Sequence, residues 1–137
     1  MLTDCHAHLD HRIYSLDLDK VIERCRKNNV LVISCGVNKE SNRKVLEISK
    51  KYNDVVKAAL GMYPFDSVDI QTDEEYLGRK PVKFNVDEEL EFIKKNKDKI
   101  NAISEVGLDN SIENSKIEEQ KKVFLKVIEL SEKIKKP

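Results

Sequence analysis

His6 and His8 are the residues whose type and spacing could most directly do chemistry in this chain. On an extended strand, residues i and i+2 point to the same face, ~7 Å apart. Two imidazoles leaving one strand end together can take adjacent positions on a single metal ion, with Zn–N distances of about 2.0–2.1 Å. The surrounding segment, Met1-Leu2-Thr3-Asp4-Cys5-His6-Ala7-His8-Leu9-Asp10, reads as a short, mildly apolar strand with Asp4 and Asp10 beside the pair. Neutral imidazole suits zinc, copper, iron or nickel, and added carboxylate and water ligands widen the choice towards manganese. A His-x-His by itself is more often a surface or satisfied core pair. Its weight here comes from its place, at the carboxyl end of a first strand, where α/β enzymes hold their ligands.

The elements that must position the pair follow from periodicity. Ser15 or Asp17 caps a helix whose apolar positions Leu18, Val21, Ile22 and Cys25 share one face, and Asn28-Asn29 stops it. Val30-Leu31-Val32-Ile33 is a continuous β-branched run, as a parallel strand buried on both faces requires. A helix from about Glu40 to Tyr52 follows, with Val45, Ile48 and Tyr52 inside, and then a strand over Val55 to Leu60. Gly61-Met62-Tyr63-Pro64 is a constrained turn, and residues 65–81 show no clean period and read as a long loop. Asn85 with Glu88 starts a helix to about Lys97. The fourth strand is Ile100 to Ser104, and Ser115 with Glu118 has the spacing of a capping box. The last helix carries Ile117, Val123, Phe124, Val127, Ile128 and Ile134 on its inner face.

Four strand–helix units without repeat or linker mean an α/β fold with a parallel sheet and right-handed crossovers. A closed eight-stranded barrel needs about 250 residues, so 137 residues make half of one (β/α) TIM-barrel type domain. The expected domain is therefore residues 1–137 as the N-terminal part of a single barrel, cut where a fifth strand would begin. The outer edges of its first and fourth strands would be unpaired, which invites self-association.

Charged residues make up 36% and apolar ones 39%, and the formal net charge is zero. That balance gives a globular chain with no overall basic field to draw in nucleic acid. The Lys-rich segments 94–97, 121–122 and 133–136 read as solvated helix faces. His11 reads as a surface residue, and Tyr76, Arg79 and Lys80 as solvated loop. No apolar run approaches the ~20 residues of a membrane span. Cys5, Cys25 and Cys35 fit neither a disulfide framework nor a metal knuckle. Cys5 is expected to pack as a small apolar residue, and reduced thiols point to the cytoplasm.

Glu105 stands at the end of the fourth strand, in Ile103-Ser104-Glu105-Val106-Gly107-Leu108-Asp109. A carboxylate at a buried strand end is costly without a cation or hydrogen bonds; a structural salt bridge is the plain alternative. In a barrel, strand ends one and four open on the same mouth. Glu105 could then complete a His, His, carboxylate set and bridge a second metal.

Asp4-Cys5-His6-Ala7-His8-Leu9-Asp10, Gly61-Met62-Tyr63-Pro64 and Glu105-Val106-Gly107-Leu108-Asp109 resemble, in order and spacing, the TatD-related metal-dependent deoxyribonucleases. These are TIM-barrel members of the amidohydrolase superfamily. Gln120 and Phe124 also look like that family's fourth helix, so the resemblance covers the whole chain. It implies a hydrolase that cleaves phosphodiester bonds of DNA with a metal-activated water. It further implies two divalent ions (Zn, Mn or Mg), His6 and His8 as metal ligands, and Glu105 as a catalytic, bridging ligand. Asp109 would support the ligands from behind. Where the family has His, at a position tied to metal and substrate, this chain has Tyr63, which can hydrogen-bond a phosphate but ligates metal poorly. The family's later metal-binding histidines and catalytic Asp would lie beyond residue 137, leaving this chain part of the site. A non-catalytic half-barrel acting as a binding module, or a phosphoesterase on a small substrate, are the alternatives.

Overall fold

The β-branched run that begins at Val30 lies inside a parallel sheet of order β1-β2-β3-β4 in a computed structural model of the chain. The structure describes residues 1–70 and 82–137. The strands are β1 (Leu2–Ala7), β2 (Val30–Cys35), β3 (Val56–Gly61) and β4 (Ala102–Ser104). The helices are α1 (Leu18–Lys27), α2 (Lys39–Lys51), the single turn α3 (Pro64–Ser67), α4 (Val86–Lys95) and α5 (Ile117–Ile134). Neighbouring strands are consecutive in sequence, with Val32 beside Val56 and Gly61 beside Ser104. This is the expected α/β alternation, with every pairing parallel.

Helix residues spaced by three and four cover the sheet. Val45 of α2, Ile93 of α4, and Leu130 and Ile134 of α5 pack with Ala58 and Leu60 of β3. Ile22 of α1, Tyr52 and Leu9 pack with Val32 and Val56. Ile22, Val45 and Ile93 are fully buried, and each such side chain contributes about 1.5–3 kcal/mol relative to exposure. Among the described residues, no helix is long and apolar enough to cross a membrane.

Two features of β1 and β4 bear on the site. The pairing of β1 with β2 runs Asp4 to Val32 and then Ala7 to Ser34, so three steps along β1 match two along β2. A bulge therefore falls on Cys5 and His6, and bulges turn side chains away from the regular pleat. β4 is short, and on its outer side the Ile103 N–H donates to the Pro137 carbonyl at 2.7 Å.

Several local expectations need correction. Asp17 precedes α1, but its side chain makes no capping bond. The Ser115–Glu118 capping box does not form. Lys116, left-handed at φ 52°, precedes α5 instead, and the Ser115 hydroxyl donates to Asn110 Oδ1. The inner face of α5 is Gln120, Val127, Leu130 and Ile134, with Ile128 40% exposed. Cys5 is exposed, because β1 lies at a sheet edge. Residues 65–67 belong to α3 rather than to a loop, while Tyr76, Arg79 and Lys80 lie outside the described residues. His11 is half-buried and caps a short 3-10 turn by accepting from the Ile13 N–H. The lysine faces are solvated as expected: Lys94 pairs with Glu91, and Lys121 with Glu118.

Candidate metal centre

His6, His8 and Glu105 bring one ligand atom each to within 4.8 Å of one another. The His6 and His8 Nε2 atoms are 3.3 Å apart. Glu105 Oε1 lies 2.5 Å from the first and 3.7 Å from the second. Donors bound at about 2.0–2.2 Å to one ion sit roughly 3–3.5 Å apart, so the His6–His8 separation already suits a shared cation, the Glu105–His8 one lies just above that range, and the short Glu105–His6 one must widen.

His8 owes its orientation to β2. Its Nδ1 lies 2.9 Å from the Cys35 carbonyl oxygen. A carbonyl only accepts, so Nδ1 carries the proton and donates, and the neutral ring presents its Nε2 lone pair to the cluster. His6 is the more exposed imidazole, 62% against 26% for His8. It sits on the bulge, where the Asp4 carboxylate accepts from its backbone N–H at 3.1 Å.

Glu105 is held in an unusual backbone state. Its φ of 54° is left-handed, which costs an L-residue about 1–2 kcal/mol. Its side chain is only 11% exposed, and Oε1 is buried without a hydrogen-bond partner of acceptable geometry despite the nearby His6 nitrogen. A strained residue whose buried carboxylate oxygen is aimed at two imidazoles is a donor arrangement suited to a cation. A protonated His6 could pair with Glu105 alone, but that leaves the His8 lone pair pointed at the same place for no purpose. The donor set fits a divalent cation held by N, N and O.

The strand ends around the cluster are fixed by polar side chains inside the helix layer. Asn42 of α2 is fully buried; its Oδ1 accepts from the Gly61 N–H at 3.0 Å and its Nδ2 donates to the Gly61 carbonyl at 2.9 Å. Asn42 Nδ2 also donates to Glu89 Oε1 at 2.7 Å, and Arg43 Nη1 reaches both Glu89 oxygens. Gly61 itself is required: a Cβ there would lie 1.5 Å from the Ser104 carbonyl oxygen. These residues escaped the sequence reading, although a signal existed. Asn42 lies one turn from Val45, and Glu89 one turn from Ile93, so each is a polar residue on an apolar stripe.

Tyr63 and Asp109, both expected near the site, meet each other. The Tyr63 hydroxyl donates to Asp109 Oδ2 at 2.8 Å. The Asp109 N–H donates to Gln120 Oε1 at 2.7 Å, and Gln120 Nε2 donates back to the Asp109 carbonyl at 2.8 Å. Burial pushes the Asp109 carboxyl up, but hydrogen bonds from Ser111 and Tyr63 outweigh it and hold the group below its ordinary value. Burial raises Asp10, whose Oδ1 is buried without a partner. Burial likewise raises the Cys35 thiol.

Comparison with known proteins bears on the chain as a whole. A family model described as TatD related DNase matches residues 3–137. The deoxyribonuclease TATDN3 of Homo sapiens is 31% identical over 141 residues, covering 99% of this chain and 50% of that protein. The uncharacterized metal-dependent hydrolase YabD of Bacillus subtilis is 31% identical over 138 residues, covering 100% of this chain and 49% of its own length. The crystal structure of YJJV, a TatD homolog from Escherichia coli K12, superposes with a TM-score of 0.77 at 22% identity, over 99% of this chain and 48% of that one. A TatD family hydrolase from Entamoeba histolytica gives 0.72 at 25% identity, over 96% and 46%. The fold is therefore that of half a TatD-type barrel, and the chain spans about half the length of the curated relatives it matches.

Proposed function

The chain belongs to the TatD related DNase family, and we propose that it forms the N-terminal part of a single barrel domain of a divalent-metal-dependent hydrolase acting on the phosphodiester bonds of DNA. The observation that carries this reading is the convergence of His6 Nε2, His8 Nε2 and Glu105 Oε1 within 4.8 Å. DNA as the substrate draws its support from relatives named deoxyribonucleases. The three cysteines are free, in keeping with work in the cytoplasm.

In this reading His6, His8 and Glu105 would hold a divalent cation, and Glu105 would be the ligand shared with a second one, as the family resemblance implies. Bound there, a divalent cation supplies Lewis-acid polarisation of a phosphoryl oxygen and a lowered pKa for a coordinated water. The chain's own groups do the preparing. The Cys35 carbonyl keeps the proton of His8 on Nδ1, and Glu105 Oε1 is buried without a hydrogen bond to satisfy it. Asp109 and Tyr63 brace the loop that follows Glu105.

The test is removal of one ligand at a time in the polypeptide that carries this chain. His6→Ala and Glu105→Ala should each abolish DNA hydrolysis that manganese supports and EDTA stops. Undiminished, EDTA-resistant hydrolysis by Glu105→Ala would end this reading.

A further inference from the structure

We propose that Tyr63 is a positioning residue for the metal centre, acting through Asp109 on the segment that carries Glu105, rather than a phosphate ligand. The inference rests on the metal reading above and adds a residue role to it.

Tyr63 follows Gly61 by two positions, and Gly61 is the register partner of Ser104, the residue before Glu105. The two strand ends are therefore neighbours, and Tyr63 is built into its own end. Its N–H donates to the Val37 carbonyl at 2.7 Å, and its ring meets Phe65 edge to face at 5.7 Å. A phenol has one proton to donate. That proton goes to Asp109 Oδ2, so a phosphate oxygen would have to compete for it with a carboxylate already in place.

The segment needs such a tie. It leaves β4 through Glu105 at φ 54° and Gly107 at φ 149°, and a Cβ on Gly107 would meet nothing within 4 Å. The Gly107 side of the turn is open, so Glu105 has room to relax out of its left-handed state. Four residues on, Asp109 is fixed from two sides: its backbone by Gln120 of α5, and its carboxylate by Tyr63. The side-chain tie is the one that refers the segment to β3, and so to the strand end beside Glu105. Partners one step behind metal ligands commonly set affinity by 10–100-fold, and this partner lies one step further back.

The experiment is calorimetric titration of manganese(II) into the metal-stripped protein that carries this chain, alongside its thermal unfolding. Wild type should bind and His6→Ala should not. Tyr63→Phe, which removes one oxygen, should bind about tenfold more weakly and lower the unfolding midpoint only by the small amount that one lost hydrogen bond costs. Asp109→Ala should weaken binding by a similar factor, and the double variant no further, since both cut one tie. If Tyr63→Phe binds within twofold of wild type while His6→Ala has lost binding, the positioning role is overturned and the metal reading stands. If Tyr63→Phe weakens binding while Asp109→Ala binds within twofold of wild type, the role of Tyr63 is general packing and the proposal fails. If His6→Ala binds as well as wild type, both fall together.

Discussion

The imidazole of His8 is tied through Nδ1 to the main-chain carbonyl of Cys35, 2.9 Å away on the adjacent strand. That single bond decides which nitrogen of His8 faces the cluster, because the carbonyl can only accept. It comes from backbone, so no side-chain substitution at position 35 removes it. The metal-facing lone pair is thus a property of how β1 lies against β2, and the sheet that builds the site also sets its protonation.

Glu105 should show a conflict between stability and function. Its left-handed backbone and orphaned oxygen both work against folding. Glu105→Gly relieves each, and should stabilise the metal-free protein by about 1 kcal/mol while eliminating metal binding. Urea unfolding in the presence of chelator checks the first part. A destabilised Gly variant would mean that φ at this position carries no strain.

Gly61→Ala should be among the most damaging single-methyl changes in the chain. The new Cβ would meet the Ser104 carbonyl at 1.5 Å and the Gly36 carbonyl at 3.2 Å, and both are backbone atoms that cannot rotate aside. A cost of about 3 kcal/mol is expected. Because Ser104 leads directly into Glu105, metal affinity should fall as well. Denaturant midpoints and metal titration together would reveal a harmless substitution if this account is wrong.

Loss of Arg43 should cost more than loss of the charge on Glu89. Glu89 is 2% exposed and receives Arg43 Nη1 on both oxygens, while the guanidinium is a third exposed and stacks 3.6 Å over Phe92. Arg43→Met strands a buried carboxylate with Asn42 as its remaining side-chain donor, for about 3 kcal/mol. Glu89→Gln removes the charge but keeps an acceptor, for about 1 kcal/mol. Equal losses in chemical denaturation would contradict the assignment.

The tie between Tyr63 and Asp109 should be visible in acid. The Asp109 carboxyl sits below its ordinary 3.8 in the folded protein, because hydrogen bonds from Ser111 and Tyr63 exceed the effect of burial. The ionised form therefore favours folding. Its contribution is complete above the unfolded value and disappears as pH falls from 3.8 through the folded one. Wild type should be more stable than Tyr63→Phe at pH 6, with the gap closing towards pH 3. Stability curves at the two pH values measure this, and a constant gap would detach Asp109 from Tyr63.

Much of the architecture was legible because it follows from local periods. Val30 to Ile33 could only be a strand buried by neighbours, and Val45 with Ile48 could only face a core. The alternation of such segments left little choice but a parallel α/β sheet. Element ends were less legible, since they depend on competition between partners. Ser115 has the chemistry and spacing of a cap, yet its hydroxyl goes to Asn110 and its carbonyl to Gln120. Asn42 and Glu89 were visible only as polar residues on apolar stripes and Gln120 only as part of the family resemblance, and which backbone groups they serve was not.

His6, His8 and Glu105 could be named from residue types, strand ends and their resemblance to a known family, but the meeting of these three side chains could not be derived from the chain order. β1 and β4 lie at opposite edges of the sheet, which in a flat sheet means three strand spacings of about 4.8 Å, or roughly 14 Å. Local sequence sets how far a strand extends and which way its side chains alternate. It took the curl of the whole sheet, the bulge at Cys5 and His6, and the Gly61 approach to Ser104 to carry an acid from one edge to imidazoles on the other. Twist and curvature accumulate over every strand pair at once, so they belong to the assembled sheet and to no single stretch of residues.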